Sequence, residues 1–136
     1  MRAVLDVNVL ISALLAPTGA SAALLARWLR GEFELVVTEQ LLAELSSSLA
    51  YPKLVSRIPR EDAEAFIELL RREAAVAERV DAPPPIRSRD PGDDYLLALA
   101  ADADSVLVSW DRDLLELRDA EVESPPHFLA RLVEDE

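Results

Sequence analysis

The residues most able to do chemistry in this chain are acids grouped around two apolar runs. In the stretch Arg89 to Leu115, RDPGDDYLLALAADADSVLVSWDRDLL, Asp90, Asp93 and Asp94 precede a helix-like run from Tyr95 to Ala101. Asp111 and Asp113 follow a strand-like run from Val106 to Val108. A helix and the strand after it lie side by side in an α/β layer, so the helix start and the strand end meet at one edge of a sheet. Carboxylates crowded into one place repel each other, and such a cluster points to a hard divalent cation, Mg²⁺ or Mn²⁺, held among them.

Other acids fall at comparable points along the chain. Ala3-Val4-Leu5 is a short apolar run that stops at Asp6, and Leu35-Val36-Val37 stops at Thr38. Continuous rather than alternating apolar runs are the mark of strands buried on both faces, as in a parallel sheet. In such a sheet the binding crevice lies at the carboxyl ends of the strands. Asp6, Thr38 and the pair Ser109 and Asp111 therefore share one edge. Glu44, two turns into the helix that leaves Thr38, has a side chain long enough to reach back over that edge, and Asp94 opens its helix where the dipole favours a charged carboxylate. Each acid also has a plain reading. Asp6 or Asn8 as a helix cap, Glu44 as a solvated position, Asp93 and Asp94 as first-turn acids, and Asp111 with Asp113 as a turn all stay open at this point.

The elements that must position these groups follow from the same patterning. The strand Ala3–Leu5 leads into a helix over 7–15. A second helix, Ser21–Arg30, follows the break at Pro17-Thr18-Gly19 and is closed by Gly31 as its C′ residue. Thr38 is an N-cap for Glu39–Leu49, whose core stripe is Leu41, Leu42, Leu45 and Leu49. A short helical turn begins at Tyr51-Pro52, and Arg60–Glu73 carries Ala65, Phe66, Leu69 and Leu70 at helical spacing. Ala75-Val76-Ala77 with Val80 is an edge-strand candidate. Asp81–Asp90, with Pro83 to Pro85, is an extended loop that brings Arg87 and Arg89 to the acids. Val122 marks a last strand, and Ser124-Pro125-Pro126 starts a final helix with Phe128, Leu129, Leu132 and Val133 inward. The result is an α/β fold, a three-layer α/β/α sandwich with a mainly parallel central sheet and Rossmann-like topology.

Composition narrows the field further. The 136 residues suit one domain, 1–136. The absence of cysteine removes disulfides, thiolate metal sites and a Cys nucleophile. His127, the single histidine, reads as a surface residue in the first turn of the last helix. A formal charge of −12 argues against nucleic acid, yet the acid cluster contributes to it, and a bound divalent ion would invert the local field where a phosphate arrives. Arg87, Arg89 and Arg112 are candidates for contacts to a phosphate, with solvated surface arginine as the plain alternative. Trp28, at helical spacing, reads as core, whereas Trp110 beside Asp111 stays open. No apolar run reaches the length of a membrane span, and Asp6 interrupts the start too early for a signal peptide, so the expectation is a cytoplasmic protein with no membrane association.

The motifs LDVNVLISALL, TEQLLAEL, RDPGDDYLLALAADAD, VLVSWDRDLL and SPPHFLARL, in this order over nearly the whole chain, resemble the PIN domain family, the metal-dependent nuclease fold of VapC-type toxins in toxin–antitoxin pairs. The resemblance implies catalytic, metal-holding acids at Asp6, Glu44, Asp94 and Asp111, with Asp113 auxiliary and Asn8 and Ser109 in support. It also implies a Mg²⁺- or Mn²⁺-dependent endoribonuclease that hydrolyses RNA phosphodiester bonds with metal-activated water, leaving a 5′-phosphate and a 3′-hydroxyl. Its members are often homodimers held inactive by a small antitoxin. Trp110 departs from the pattern, standing where members usually have a small or polar residue; it would narrow the groove or supply a stacking face.

Two further readings compete. Phosphoryl transfer through an aspartate would also use an Asp after the first strand. The phosphatase pattern, however, needs a second Asp where this chain has Asn8, and the sole lysine, Lys53, is badly placed. The other is a non-catalytic acidic module that binds a partner protein and uses metal only structurally.

Overall fold

The computed structural model describes residues 1–78, 91–118 and 120–134. Among the described residues five strands form one all-parallel sheet: β1 (Arg2–Leu5), β2 (Glu34–Val37), β3 (Ala75–Val76), β4 (Val106–Val108) and β5 (Val122–Glu123), in the order β3-β2-β1-β4-β5. The three central strands carry Val4, Leu5, Leu35, Val37, Leu107 and Val108, all sealed from solvent. A sheet covered on both faces demands this continuous apolar character.

Between them run α1 (Val7–Leu15), α2 (Ala20–Leu29), α3 (Glu39–Leu49), α4 (Pro52–Val55), α5 (Arg60–Glu73), α6 (Asp94–Asp102, entered through a 3₁₀ turn at Pro91–Asp93), α7 (Arg112–Leu115) and α8 (Pro125–Glu134). Local chemistry sets their ends. The Thr38 hydroxyl accepts from the Leu41 N–H at 3.1 Å, and the Ser124 hydroxyl accepts from the His127 N–H at 3.3 Å. Gly31, just past α2, takes φ +80°, a conformation that side chains with a Cβ rarely adopt.

Strands β1, β2 and β3 step outward in one direction, whereas β4 and β5 step the other way. With right-handed crossovers, α1 to α5 cover one face of the sheet, while α6 and α7 cover the other. The packing agrees: α1 touches α2 and α3, α3 touches α5, and α6 lies on β1 and β4. Helix α8 returns to pack on α2, where Phe128 meets Phe33 edge-to-face with ring centres 5.3 Å apart. The reversal of strand order falls between β1 and β4. That gap is the topological switch point, where an open α/β sheet forms its crevice.

Two expected core positions are displaced. In α5 the inward stripe is Ala63, Phe66, Ile67 and Leu70, and Ala65, about 100° round the helix from Phe66, is exposed. In α8 Phe128 and Leu132 face inward, whereas Val133 lies in the last turn on the Leu129 flank and is exposed. The expected strand residue Val80 and the loop Asp81–Asp90, with Arg87, Arg89 and Asp90, lie outside the described residues. Among the described residues no single helix is long and apolar enough to cross a membrane.

Candidate metal centre

Asp6 is the residue after β1 and the N-cap of α1. Its backbone N–H donates to Val108 O at 2.9 Å, which locks the end of β1 to the end of β4. The side chain makes no capping bond. It turns instead to Ser109, whose fully buried hydroxyl donates to Asp6 Oδ2 at 2.7 Å. The same hydroxyl accepts from the Asp111 N–H at 2.9 Å and stands 3.4 Å from Asn8 Nδ2. One donor and two acceptor sites are thus all used. Asn8 completes the junction, with Nδ2 3.3 Å from Asp6 Oδ2 and Oδ1 accepting from the Trp110 N–H at 3.2 Å.

Asp111 caps α7, its Oδ1 accepting from the Asp113 N–H at 2.9 Å. The capping role and a place at the crevice therefore coexist in one carboxylate. Asp94, at the start of α6, is buried although charged residues seldom are, and Asp93 beside it is half-buried. From the opposite layer, the exposed Glu44 of α3 accepts a hydrogen bond from the Tyr95 hydroxyl of α6.

The electrostatics are one-sided. Burial pushes the Asp6 carboxyl above its ordinary range. The Ser109 hydroxyl and the Val7 N–H oppose this, and Glu44 and Asp111 add to it by repulsion. Burial raises the Tyr95 phenol still more, with its bond to Glu44 second and the charges of Asp6 and Asp93 following. Asp6, Glu44, Asp111, Asp93 and Tyr95 thus act on one another across a single crevice. Arg112 is exposed on α7 and His127 is exposed on α8.

A hard divalent cation suits this donor set in kind. The groups are carboxylate and hydroxyl oxygens, and a cation would relieve both the desolvation of Asp6 and its repulsion from Glu44 and Asp111. Among the described residues, no three acids are already closed around a single point. Asp6, Glu44 and Asp111 act on one another at this crevice, and the Tyr95 hydroxyl holds the exposed Glu44 side chain by its hydrogen bond.

Three polar contacts escape a sequence reading. Tyr95 looks like one more apolar position of α6. Ser21, buried in the first turn of α2, accepts from the Trp110 indole at 2.9 Å. Glu123 of β5 is buried and pairs with Arg131 of α8, with one oxygen lacking a hydrogen bond.

The fold is one already seen in solved proteins. VapBC2 from Rickettsia felis, bound to a DNA fragment from its promoter, superposes with TM-score 0.65 at 13% identity, covering 91% of this chain and 98% of that one. PAE2754 from Pyrobaculum aerophilum gives TM-score 0.64 at 20% identity, covering 98% of this chain and 90% of that one. No curated protein matches the sequence. The family model for the PIN domain matches residues 2–113, from β1 through the acids that follow β4. By that match the chain belongs to the PIN domain family, whose members are generally nucleases.

Proposed function

We propose that this chain is a Mg²⁺- or Mn²⁺-dependent endoribonuclease. Its single domain would act in the cytoplasm as the toxin of a toxin–antitoxin pair, as a homodimer restrained by a small antitoxin. The observation that carries the reading is the state of Asp6. It is a buried carboxylate at the switch point, tied to Ser109, and the strongest charges acting on it, Glu44 and Asp111, are both negative. A carboxylate placed so is poorly suited to structural work, because burial without a cation costs stability. It is well suited to holding one.

In this reading Asp6, Asp94 and Asp111 hold the cation, with Glu44 and Asp113 completing the set. Ser109 and Asn8 fix the Asp6 carboxylate from one side, while Tyr95 fixes Glu44 from the other. The cation would supply charge to stabilise the phosphorane-like transition state and would lower the pKa of the attacking water. No side-chain nucleophile is needed. Arg112, exposed beside Asp111, would meet a backbone phosphate in this reading, and the sequence offers Arg87 and Arg89 for the same part. The likeness to VapBC2 supports an antitoxin as partner.

The test is cleavage of single-stranded and structured RNAs by the purified protein. Cutting is expected with Mg²⁺ or Mn²⁺, with 5′-phosphate products, and is lost with EDTA. Asp6→Ala, Glu44→Ala and Asp94→Ala should each abolish it. Wild-type cleavage in all three would refute the assignment, and metal and antitoxin binding without cleavage of any RNA would favour the non-catalytic module.

A further inference from the structure

Trp110 stands between Ser109, which holds Asp6, and Asp111. The residue is 43% exposed, a large hydrophobic residue left in solvent at the rim of the crevice. It is nevertheless held at two points. The backbone N–H donates to Asn8 Oδ1 at 3.2 Å, and the indole Nε1–H donates to Ser21 Oγ at 2.9 Å, on a residue that is itself 1% exposed. A bond from Nε1 lies in the ring plane, so it sets the orientation of the ring through its edge and leaves the faces to other contacts.

An exposed aromatic that is already ordered loses little entropy when something covers it. What arrives at this rim is a nucleic-acid strand, if the nuclease reading holds. Every nucleobase has a π-face, and stacking on an aromatic side chain is a recurrent source of affinity for single strands. Stacking also answers an electrostatic difficulty. With a net charge of −12 and acids lining the crevice, phosphate contacts are a poor source of binding, whereas a stacked base brings no charge. Bases inside a duplex already have both faces covered.

We propose that Trp110 is the platform on which a base of the substrate strand stacks, next to the phosphodiester presented to Asp6 and Asp111, so that the site selects unpaired RNA. The inference rests on the nuclease reading, but binding can be measured apart from cleavage. Asp94→Asn provides a background in which the strand is not cut, and a labelled single-stranded oligoribonucleotide and the duplex of the same sequence are the probes.

In that background the single strand should quench the emission of Trp110 saturably. Trp110→Phe, which leaves the buried Trp28 as the sole tryptophan, should lose the signal when tryptophan is excited selectively. By anisotropy, Trp110→Ala should weaken binding roughly tenfold or more. The factor should be the same at low and high salt, because stacking releases no counterions. Trp110→Phe should recover most of the affinity. Equal affinity in Trp110→Ala, failure of Trp110→Phe to recover, a loss that vanishes at high salt, or equal quenching by the duplex would each overturn the proposal. So would Trp110 emission that changes with protein concentration in the absence of RNA, which would make a second copy of the chain the occupant. Cleavage that depends on Asp6 alongside any of these results leaves the nuclease reading intact. Trp110-dependent binding without cleavage in the wild type does the reverse.

Discussion

The Tyr95 hydroxyl donates to the Glu44 carboxylate, a contact between residues of α6 and α3. Right-handed crossovers set those helices on opposite faces of the sheet, so the bond spans the crevice beyond the end of β1. Burial, and then Glu44 itself, hold the phenol far above its ordinary pKa, and Tyr95 is therefore a hydrogen-bond donor at any working pH. Glu44 is exposed and would otherwise sample many rotamers, each of which would lower its effective concentration at the proposed cation site. Tyr95→Phe keeps the ring packing and removes the donor. Its kcat/KM should fall by about 10- to 150-fold, the roughly 1.5–3 kcal/mol of a hydrogen bond to a charged group, and the Mg²⁺ midpoint should rise. A metal titration of cleavage at fixed RNA checks this, and an unchanged midpoint would mean that Tyr95 has no part in placing Glu44.

Asp6 ties stability to pH in an unusual direction. Its folded pKa lies above the unfolded value, so between the two the folded protein holds a proton that the unfolded chain has released. Stability of the metal-free protein should therefore fall as pH rises through that window and stay lowered above it. Asp6→Asn removes the penalty and should raise the Tm of the metal-free protein at neutral pH, by about 3–6 °C for each kcal/mol relieved. Under the proposed function cleavage would run the opposite way, since only the carboxylate would bind the cation. Wild-type activity should rise with pH through the Asp6 pKa, and that limb should move to lower pH at saturating metal. Scanning calorimetry with EDTA across pH 4 to 8, as an order-of-magnitude span around carboxylate titration, separates the two effects.

Metal should act on the fold itself. A cation that binds the native crevice and not the unfolded chain stabilises by mass action, about 2.7 kcal/mol when it is present at a hundred times its Kd. Mg²⁺ or Mn²⁺ should raise the Tm of the wild type, and EDTA should reverse the rise. In Asp6→Asn and Asp111→Asn the increment should shrink sharply, because each removes a charge from the crevice. An increment equal to the wild type's in both variants would place the cation elsewhere.

The contrast between readable and unreadable features has a physical basis. The apolar runs Ala3–Leu5, Leu35–Val37 and Val106–Val108 mark strands because burial on both faces leaves no room for polar alternation. The polar residues that end them mark the carboxyl edge for the same reason. Thr38 and Ser124 are legible as caps because their partners lie three residues on. Tyr95 is not legible, since its partner is 51 residues away and nothing local distinguishes it from an apolar helix position. Glu123 reads as a flank of a short strand, yet it is buried against Arg131 of the following helix. Periodicity finds which face of a helix is inward, but not how far the inward contact extends. Val133, in the last turn of α8, therefore emerges into solvent.

Ser109 gives the sharpest test of how the crevice is held open. Its hydroxyl donates to Asp6 and accepts from the Asp111 N–H, so one oxygen fixes the carboxylate that follows β1 against the backbone that follows β4. Ser109→Ala removes almost no volume but leaves the buried Asp6 carboxylate and the Asp111 N–H short of a partner. The stability cost should be about 1–3 kcal/mol. The catalytic cost should exceed what that stability loss alone implies, about 10- to 100-fold in metal affinity or kcat/KM, because groups that orient metal-holding residues carry effects of that size. Losing the Ser109 bond also raises the Asp6 pKa further, since that bond favours the charged form. The acid limb of the pH–rate profile should therefore move upward in Ser109→Ala, and Ser109→Thr, which retains the hydroxyl, should move it back. Equal acid limbs in the wild type and Ser109→Ala would mean that the hydroxyl only fills space.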